Sequence, residues 1–322
     1  MTVQPELKVR IGIGLGVHEM VHDRRELLTI CRAAEQQGFD SLWFSEVAAS
    51  HALDPVAALG FVAAATERIK IGTSVLVVPG RPPALLAKAL ATLHLLSGGR
   101  TLPILGLGTV HADEQQAFCV RRDERGPWFE EAVPLIRRFW TEEAVHHRGP
   151  RFPADGVGVL PRPGRPLPIW LGGAHRLELD RAGRLGDGWL ASFATPAEVN
   201  SGIAIVDAAA RDHGREIDDD HYGVLMLYCL REPTPPVRDF MAWRRPDLAL
   251  EAALPVGGAA LRARIGDYIE AGASKFILIP ADRPADWDAE LAELAEEILS
   301  MQTPARSGAV RPPMLAATPV SS

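Results

Sequence analysis

With 322 residues the chain is about twice the ~150 that one domain averages, yet a single eight-unit α/β barrel takes ~250 on its own. Its 34 Lys and Arg against 41 Asp and Glu leave a net charge of −7 with no basic run, which argues against a duplex nucleic-acid binder. Three scattered cysteines (Cys31, Cys119, Cys229) exclude a disulfide framework and a cysteine zinc site, and no apolar run reaches the ~18 residues of a membrane span.

Short apolar runs alternate with longer amphipathic segments from end to end. The first run, 9–15, precedes a helix opened by Asp23 and Glu26 as a capping pair and stopped at Gly38. The second, 41–45, leads to a helix beginning Asp54-Pro55, and the third, 70–76, to one opened by Pro82-Pro83 with the stripe Leu86, Leu90, Leu93, Leu96. The fourth run is 101–107, its helix read at 128–140. The fifth, 168–171, is followed by Gly172-Gly173 and a helix through Leu177 and Leu185. The sixth, 188–191, is followed by Thr195-Pro196-Ala197-Glu198, a capping box with proline at the first helical position. The seventh run is 222–230, and the helix after it carries Leu261, Ile265 and Ile269. The eighth, 275–279, is followed by Trp287, Leu291, Leu294 and Ile298 at turn spacing.

Eight continuous apolar strands, each followed by a helix, predict a closed (β/α)8 barrel rather than an open doubly wound sheet. Two stretches interrupt the alternation: 141–167, after the fourth helix, with short irregular strands, and 231–258, after the seventh strand, as a loop or lid. The expected organisation is a barrel over 1–302 and a disordered tail over 303–322, rich in Pro, Ala, Ser and Thr.

A barrel of this type carries its chemistry at the carboxyl ends of its strands. The residues there are His18, Glu46, His51, Ser74, Val75, Gly106 to His111, Gly172 to Arg176, Ser192 and Tyr228. Gly12-Ile-Gly14-Leu-Gly16 lacks the third dinucleotide-binding glycine, since Val17 stands there, and Gly106-Leu-Gly108 fails likewise at His111. A GxSxG elbow, HExxH and a Walker loop are absent. Gly172-Gly173-Ala174-His175-Arg176 at a strand-to-helix junction is either an anion site built from backbone N–H groups or a tight turn. Glu46 is either a hydrogen-bond acceptor for a bound ring or a rim salt bridge. Among His18, His51 and His111 the sequence does not choose. His146-His147, in the irregular insert without a matching acid pair, and Asp218-Asp219-Asp220 read as surface features, and a resident metal is not expected.

Six collinear stretches carry a resemblance: Gly38-Phe-Asp-Ser-Leu-Trp-Phe-Ser-Glu46, Ala65-Thr-Glu-Arg-Ile-Lys-Ile-Gly-Thr-Ser-Val75, Leu95-Leu-Ser-Gly-Gly-Arg100, Glu124-Arg-Gly-Pro-Trp-Phe-Glu-Glu131, Pro168-Ile-Trp-Leu-Gly-Gly173 and Arg184-Leu-Gly-Asp-Gly-Trp189. Together they resemble the bacterial luciferase-like superfamily. The runs Val75-Leu-Val-Val-Pro-Gly-Arg81 and Ala285-Asp-Trp-Asp-Ala-Glu-Leu291 look most like its branch that uses the deazaflavin coenzyme F420.

That resemblance implies a (β/α)8 barrel passing a hydride between F420 and an organic small-molecule substrate, in a family that is commonly dimeric. It implies a non-prolyl cis peptide at Ser74–Val75 supporting the ring and Glu46 near the ring's pyrimidine side. It further implies Gly106, Gly108 and Thr109 beside the cofactor chain, and Gly172, Gly173 and Ala174 as the phosphate loop, extended by His175 and Arg176. Glu46 and His51 are the expected catalytic residues, and Arg81, Arg121, Arg122 and Arg176 the expected contacts of the anionic cofactor tail. Two positions depart from the family pattern: Val47, where many members have His, and Thr109, where the sugar-phosphate dehydrogenase branch has an acid. The alternatives are an FMN-dependent monooxygenase on the same barrel and a barrel that binds a flavin or F420 without turnover. The first ten residues lack an apolar signal core, so a cytoplasmic protein with no membrane partner is expected.

Overall fold

The computed structural model describes residues 7–16, 18–165 and 167–304, so the tail expected over 303–322 lies, from 305 on, outside the described residues. The chain opens with β1 (Arg10–Leu15), α1 (Arg24–Gln37), β2 (Ser41–Phe44) and α2 (Pro55–Ala65). Next come β3 (Lys70–Thr73), β4 (Leu76–Val77), α3 (Pro83–Leu96), β5 (Thr101–Leu102) and β6 (Ile104–Gly106). Helices α4 (Ala112–Ala117) and α5 (Arg122–Thr141) lead into a small antiparallel pair, β7 (Val145–His147) and β8 (Ala154–Val157). The second half runs β9 (Trp170–Gly172), α6 (Arg176–Leu185), β10 (Gly188–Ser192), α7 (Pro196–Asp212) and β11 (Tyr222–Tyr228). It ends with α8 (Pro235–Arg244), α9 (Leu250–Ala253), α10 (Gly258–Glu270), β12 (Lys275–Pro280) and α11 (Trp287–Ile298).

The parallel sheet closes on itself. β12 pairs with β1, β1 with β2, β2 with β3, β3 with β5, β4 with β6, and β6 with β9, after which β9, β10, β11 and β12 follow in order. β3 and β4 form one barrel strand interrupted at Ser74–Val75, whose peptide bond is cis as expected, and β5 and β6 form another interrupted at Pro103. The barrel therefore has the eight expected strands, wrapped by helices.

Its interior is filled by large side chains laid over glycines. The Trp43 indole occupies space that a Cβ on Gly12 or Gly72 would enter at 2.7 Å and 2.3 Å, and its Nε1–H donates to Ser41 Oγ at 2.8 Å. Such close packing is possible only because neighbouring strands lack side chains there.

The helix starts follow their capping chemistry. Asp23 accepts from the N–H groups of Arg25 and Glu26, Asp54 from Ala57, and Thr195 and Glu198 form a reciprocal capping box. Four expectations need correction. Leu96 is 68% exposed, so it does not belong to its helix's buried stripe. Helix α5 starts six residues before the expected 128, because buried Arg125 ties its first turns to the β6 loop despite Pro127. The segment after β11 is mostly helical: Pro235 opens α8, which buries Val237 and Met241 four residues apart. Finally, His146 and His147 each have an acidic partner, Asp155 at 2.8 Å and Glu131 at 3.1 Å.

Candidate active site

The wall of the barrel mouth is built from three strands. At the Ser74–Val75 bulge, Ser74 N–H donates to Phe44 O at 2.9 Å and Ser45 Oγ donates to Ser74 O at 3.1 Å, while Val75 O accepts from Glu46 N–H at 3.2 Å. The Val75 side chain then spreads over Gly106 and Gly172, whose Cβ atoms would meet its methyls at 2.5 Å and 2.6 Å. Ser74, Val75, Gly106 and Gly172 are thus brought together, with Val75 filling the space that the two glycines leave.

Glu46 stands beside this wall but is not a free base. Its Oε2 accepts from Val77 N–H at 2.7 Å and Arg81 Nη1 at 2.9 Å, and its Oε1 from Arg81 Nη2 at 2.5 Å. The two-pronged ion pair, with Glu46 only 9% exposed, holds the carboxylate against the wall. Arg81 donates also to Val77 O, so its guanidinium ties Glu46 to the β4 backbone.

The loop after β6 is pinned from below by Arg125, a buried arginine that the sequence reading missed. Its guanidinium donates to the carbonyls of Leu107, Gly108 and Thr109, and burial, reinforced by the Arg122 charge, pulls it below its ordinary range. No acid reaches it within ion-pair distance among the described residues, so the backbone carbonyls hold it, with the more distant charges of Glu114 and Glu178 opposing the shift. Gly108 takes φ 79°, a left-handed turn that lets the three carbonyls converge.

In the loop after β9, Gly173 has φ 148° and its carbonyl accepts from Trp189 Nε1 at 2.8 Å. The N–H groups of Ala174 and His175, which an incoming anion would use, both donate to Glu178 Oε2, at 3.0 Å and 3.1 Å. The loop does have anion-binding geometry, but a carboxylate of this chain fills it. Glu178 was legible as the third helical residue after a Gly-Gly turn, but His175 is not a usual capping residue and hid the pattern.

The remaining candidates lie at the rim. His18 and His51, both exposed, line a cleft with Phe44 and Met20. Above it an aromatic chain bridges the mouth: His18 meets Phe240 edge-on at 5.9 Å, Phe240 meets Trp243 at 5.9 Å, and Trp243 stacks on His111 at 6.5 Å. Phe193, at φ 56°, joins Phe240 at 6.0 Å and carries the Arg244 guanidinium over its ring at 4.6 Å. Helix α8 is therefore a lid joining the β1 loop to the β6 loop. Of the basic residues, Arg121 is paired with Asp123, whereas Arg122 and Arg176 have no ion pair among the described residues. Tyr228 is fully buried and lines a separate cavity with Asp286 and Glu290 rather than the mouth. Among the described residues no helix is long and apolar enough to cross a membrane.

A family model described as luciferase-like monooxygenase matches residues 7–245. The F420-dependent glucose-6-phosphate dehydrogenase of Segniliparus rotundus is 36% identical over 204 residues, 60% of each chain, so the match spans less than two thirds of that relative. The enzyme of the same name from Kribbella flavida is 30% identical over 277 residues, 82% of each chain. An F420-dependent secondary alcohol dehydrogenase in complex with an F420-acetone adduct superposes with a TM-score of 0.80 at 19% identity, covering 92% of this chain and all of that one. The coenzyme F420-dependent tetrahydromethanopterin reductase of Methanopyrus kandleri gives 0.74 at 16%, again over 92% of this chain and all of that one. At these identities the two structures speak for the fold.

Proposed function

The chain belongs to the luciferase-like monooxygenase family, and from that membership we propose that it is an oxidoreductase using coenzyme F420 on an organic substrate. The observation that carries this reading is the match over 82% of the Kribbella relative, whose name states F420 dependence. Glucose 6-phosphate is not carried over with it, because Val47 and Thr109 stand where that chemistry has a His and an acid.

The residues present fit the cofactor at its ring end and fit its phosphate end on one condition. The apolar wall made by Val75 over Gly106 and Gly172, beside the Glu46–Arg81 pair, can take a planar ring. The amides of Ala174 and His175 can take a phosphate once Glu178 swings away. When bound, F420 supplies a hydride-accepting and hydride-donating carbon, C5 of the deazaflavin. Glu46 orients the rim through Arg81 and Val77. Arg122 and Arg176, free of ion pairs among the described residues, hold the anionic tail. His51 exchanges the substrate proton, and the Phe240–Trp243 lid excludes water and presents an apolar face to the substrate.

Fluorescence titration with oxidised F420 and, separately, with FMN tests this. Saturable F420 binding with FMN much weaker is expected. Tight FMN binding without F420 binding would replace the reading with a flavin monooxygenase, and binding of neither would remove it.

A further inference from the structure

The amino-terminal end of the barrel, opposite the mouth, holds an excess of buried positive charge. Arg10, Lys70 and Lys275 begin β1, β3 and β12 and surround the carboxylate of Asp40, which directly precedes β2. Asp40 Oδ1 is shared between Lys70 at 3.1 Å and Arg10 Nε at 3.4 Å, while Oδ2 has no hydrogen bond and lies 3.7 Å from Lys275 Nζ. The Lys275 side chain is nine-tenths buried, yet its ammonium has no hydrogen bond among the described residues, only Asp40 and the face of Trp170 at 5.7 Å. It borders a cavity of about 120 Å³, far above the ~10–15 Å³ that one water needs. Arg10, Lys70 and the exposed Lys8 line the same cavity; Asp220 is the further acid there, and His221 gives its Nδ1 to Asp187 O at 2.7 Å.

A buried cation without a hydrogen bond is costly, and one carboxylate shared by three cations does not neutralise them. We propose that this pore is a binding site for a small tetrahedral oxyanion of the sulfate or phosphate class, with Lys275 as its central ligand and Arg10 and Lys70 as flanking donors. The site lies at the opposite end of the barrel from the mouth and does not depend on the cofactor reading.

Burial pulls Lys275 down to about 8, with Asp40 opposing that shift. Below that pH the ammonium is charged and calls for an anion; above it the amine is neutral and the anion loses its main ligand. Sulfate, which does not titrate in this range, is the suitable probe. Isothermal titration of the wild-type chain should show saturable sulfate binding at pH 7 that is lost at about pH 9.5. Arginines at the mouth stay charged over that interval and would hold sulfate at both. In thermal melts at pH 7 and matched ionic strength, sulfate and phosphate should each raise the Tm beyond chloride. Lys275→Gln should abolish the excess, and Arg176→Gln should keep it. Equal binding at the two pH values, none at either, or an excess shift that survives Lys275→Gln would overturn the site. The wild-type titration decides the matter even where the variant fails to fold.

Discussion

A single carboxylate, Glu178, decides how the phosphate loop of the proposed cofactor site can work. It supplies to Ala174 and His175 the two acceptor contacts that an anionic ligand would otherwise provide, at the positive end of helix α6. Glu178→Gln keeps an acceptor for the turn but removes the charge that repels a phosphate. The expected result is roughly three- to tenfold tighter F420 binding, or ~1 kcal/mol, with little change in Tm. Weaker binding would show that the loop does not receive the phosphate. At this scale the sequence was only half legible. Residue types placed Glu46 and the glycines at the mouth, but partners such as Arg81 on Glu46 or Arg125 beneath residues 107–109 are set by tertiary approach and leave no local pattern.

Among the elements, strand-to-strand approach at the bulge and the aromatic packing of α8 define the mouth. An added methyl in Gly106→Ala would sit 2.5 Å from a Val75 methyl, with strands β4 and β6 hydrogen-bonded on either side and little room to part. Overpacking of this kind costs about 1–3 kcal/mol, so a lower Tm is expected together with weaker cofactor binding; an unchanged Tm would mean that the bulge yields freely. Phe240 is the hub of the lid, touching His18, Phe193 and Trp243. Ring contacts are worth about 0.5–1.5 kcal/mol each beyond burial, so Phe240→Ala should loosen α8 locally. Limited proteolysis reads this as faster cleavage within 231–258 while the barrel stays intact; cleavage at the wild-type rate would deny the hub. Helix starts with Asp, Thr or Pro signals were readable in the chain. Helix α8 was not, because its few buried residues, Val237 and Met241, are outnumbered by prolines and charges, and only the barrel beneath gives it a surface to cover.

For the whole molecule the alternation of eight apolar runs and helices was enough to give a closed barrel, since continuous apolar strands require cover on the outer face. The ties between distant segments were less visible, and several of them are carboxylates that set the acid limit of the fold. Burial by itself pushes Glu35 up, but N–H groups of Glu67, Arg68 and Ile69, at 3.0, 2.6 and 2.9 Å, outweigh it and hold the carboxyl below its ordinary range. Asp40 and Glu131 are likewise held low against burial, Asp40 by Lys275 and Lys70, Glu131 by the Phe152 N–H and His147. A carboxyl whose pKa is lower in the folded chain binds fewer protons there than in the unfolded chain. Its contribution is complete above the unfolded value and disappears as pH falls through the folded one. The Tm should therefore fall steeply once pH drops below about 4.5, the ordinary value of a glutamate carboxyl. Glu35→Gln keeps one acceptor for the 67–69 turn but no charge, so it should lower stability at pH 7 by roughly 1 kcal/mol. Its Tm curve should approach the wild-type curve as the acid limb is descended. Calorimetry from pH 7 to pH 3 on both chains checks this, and two curves that stay parallel throughout would show that Glu35 takes no part in the acid transition.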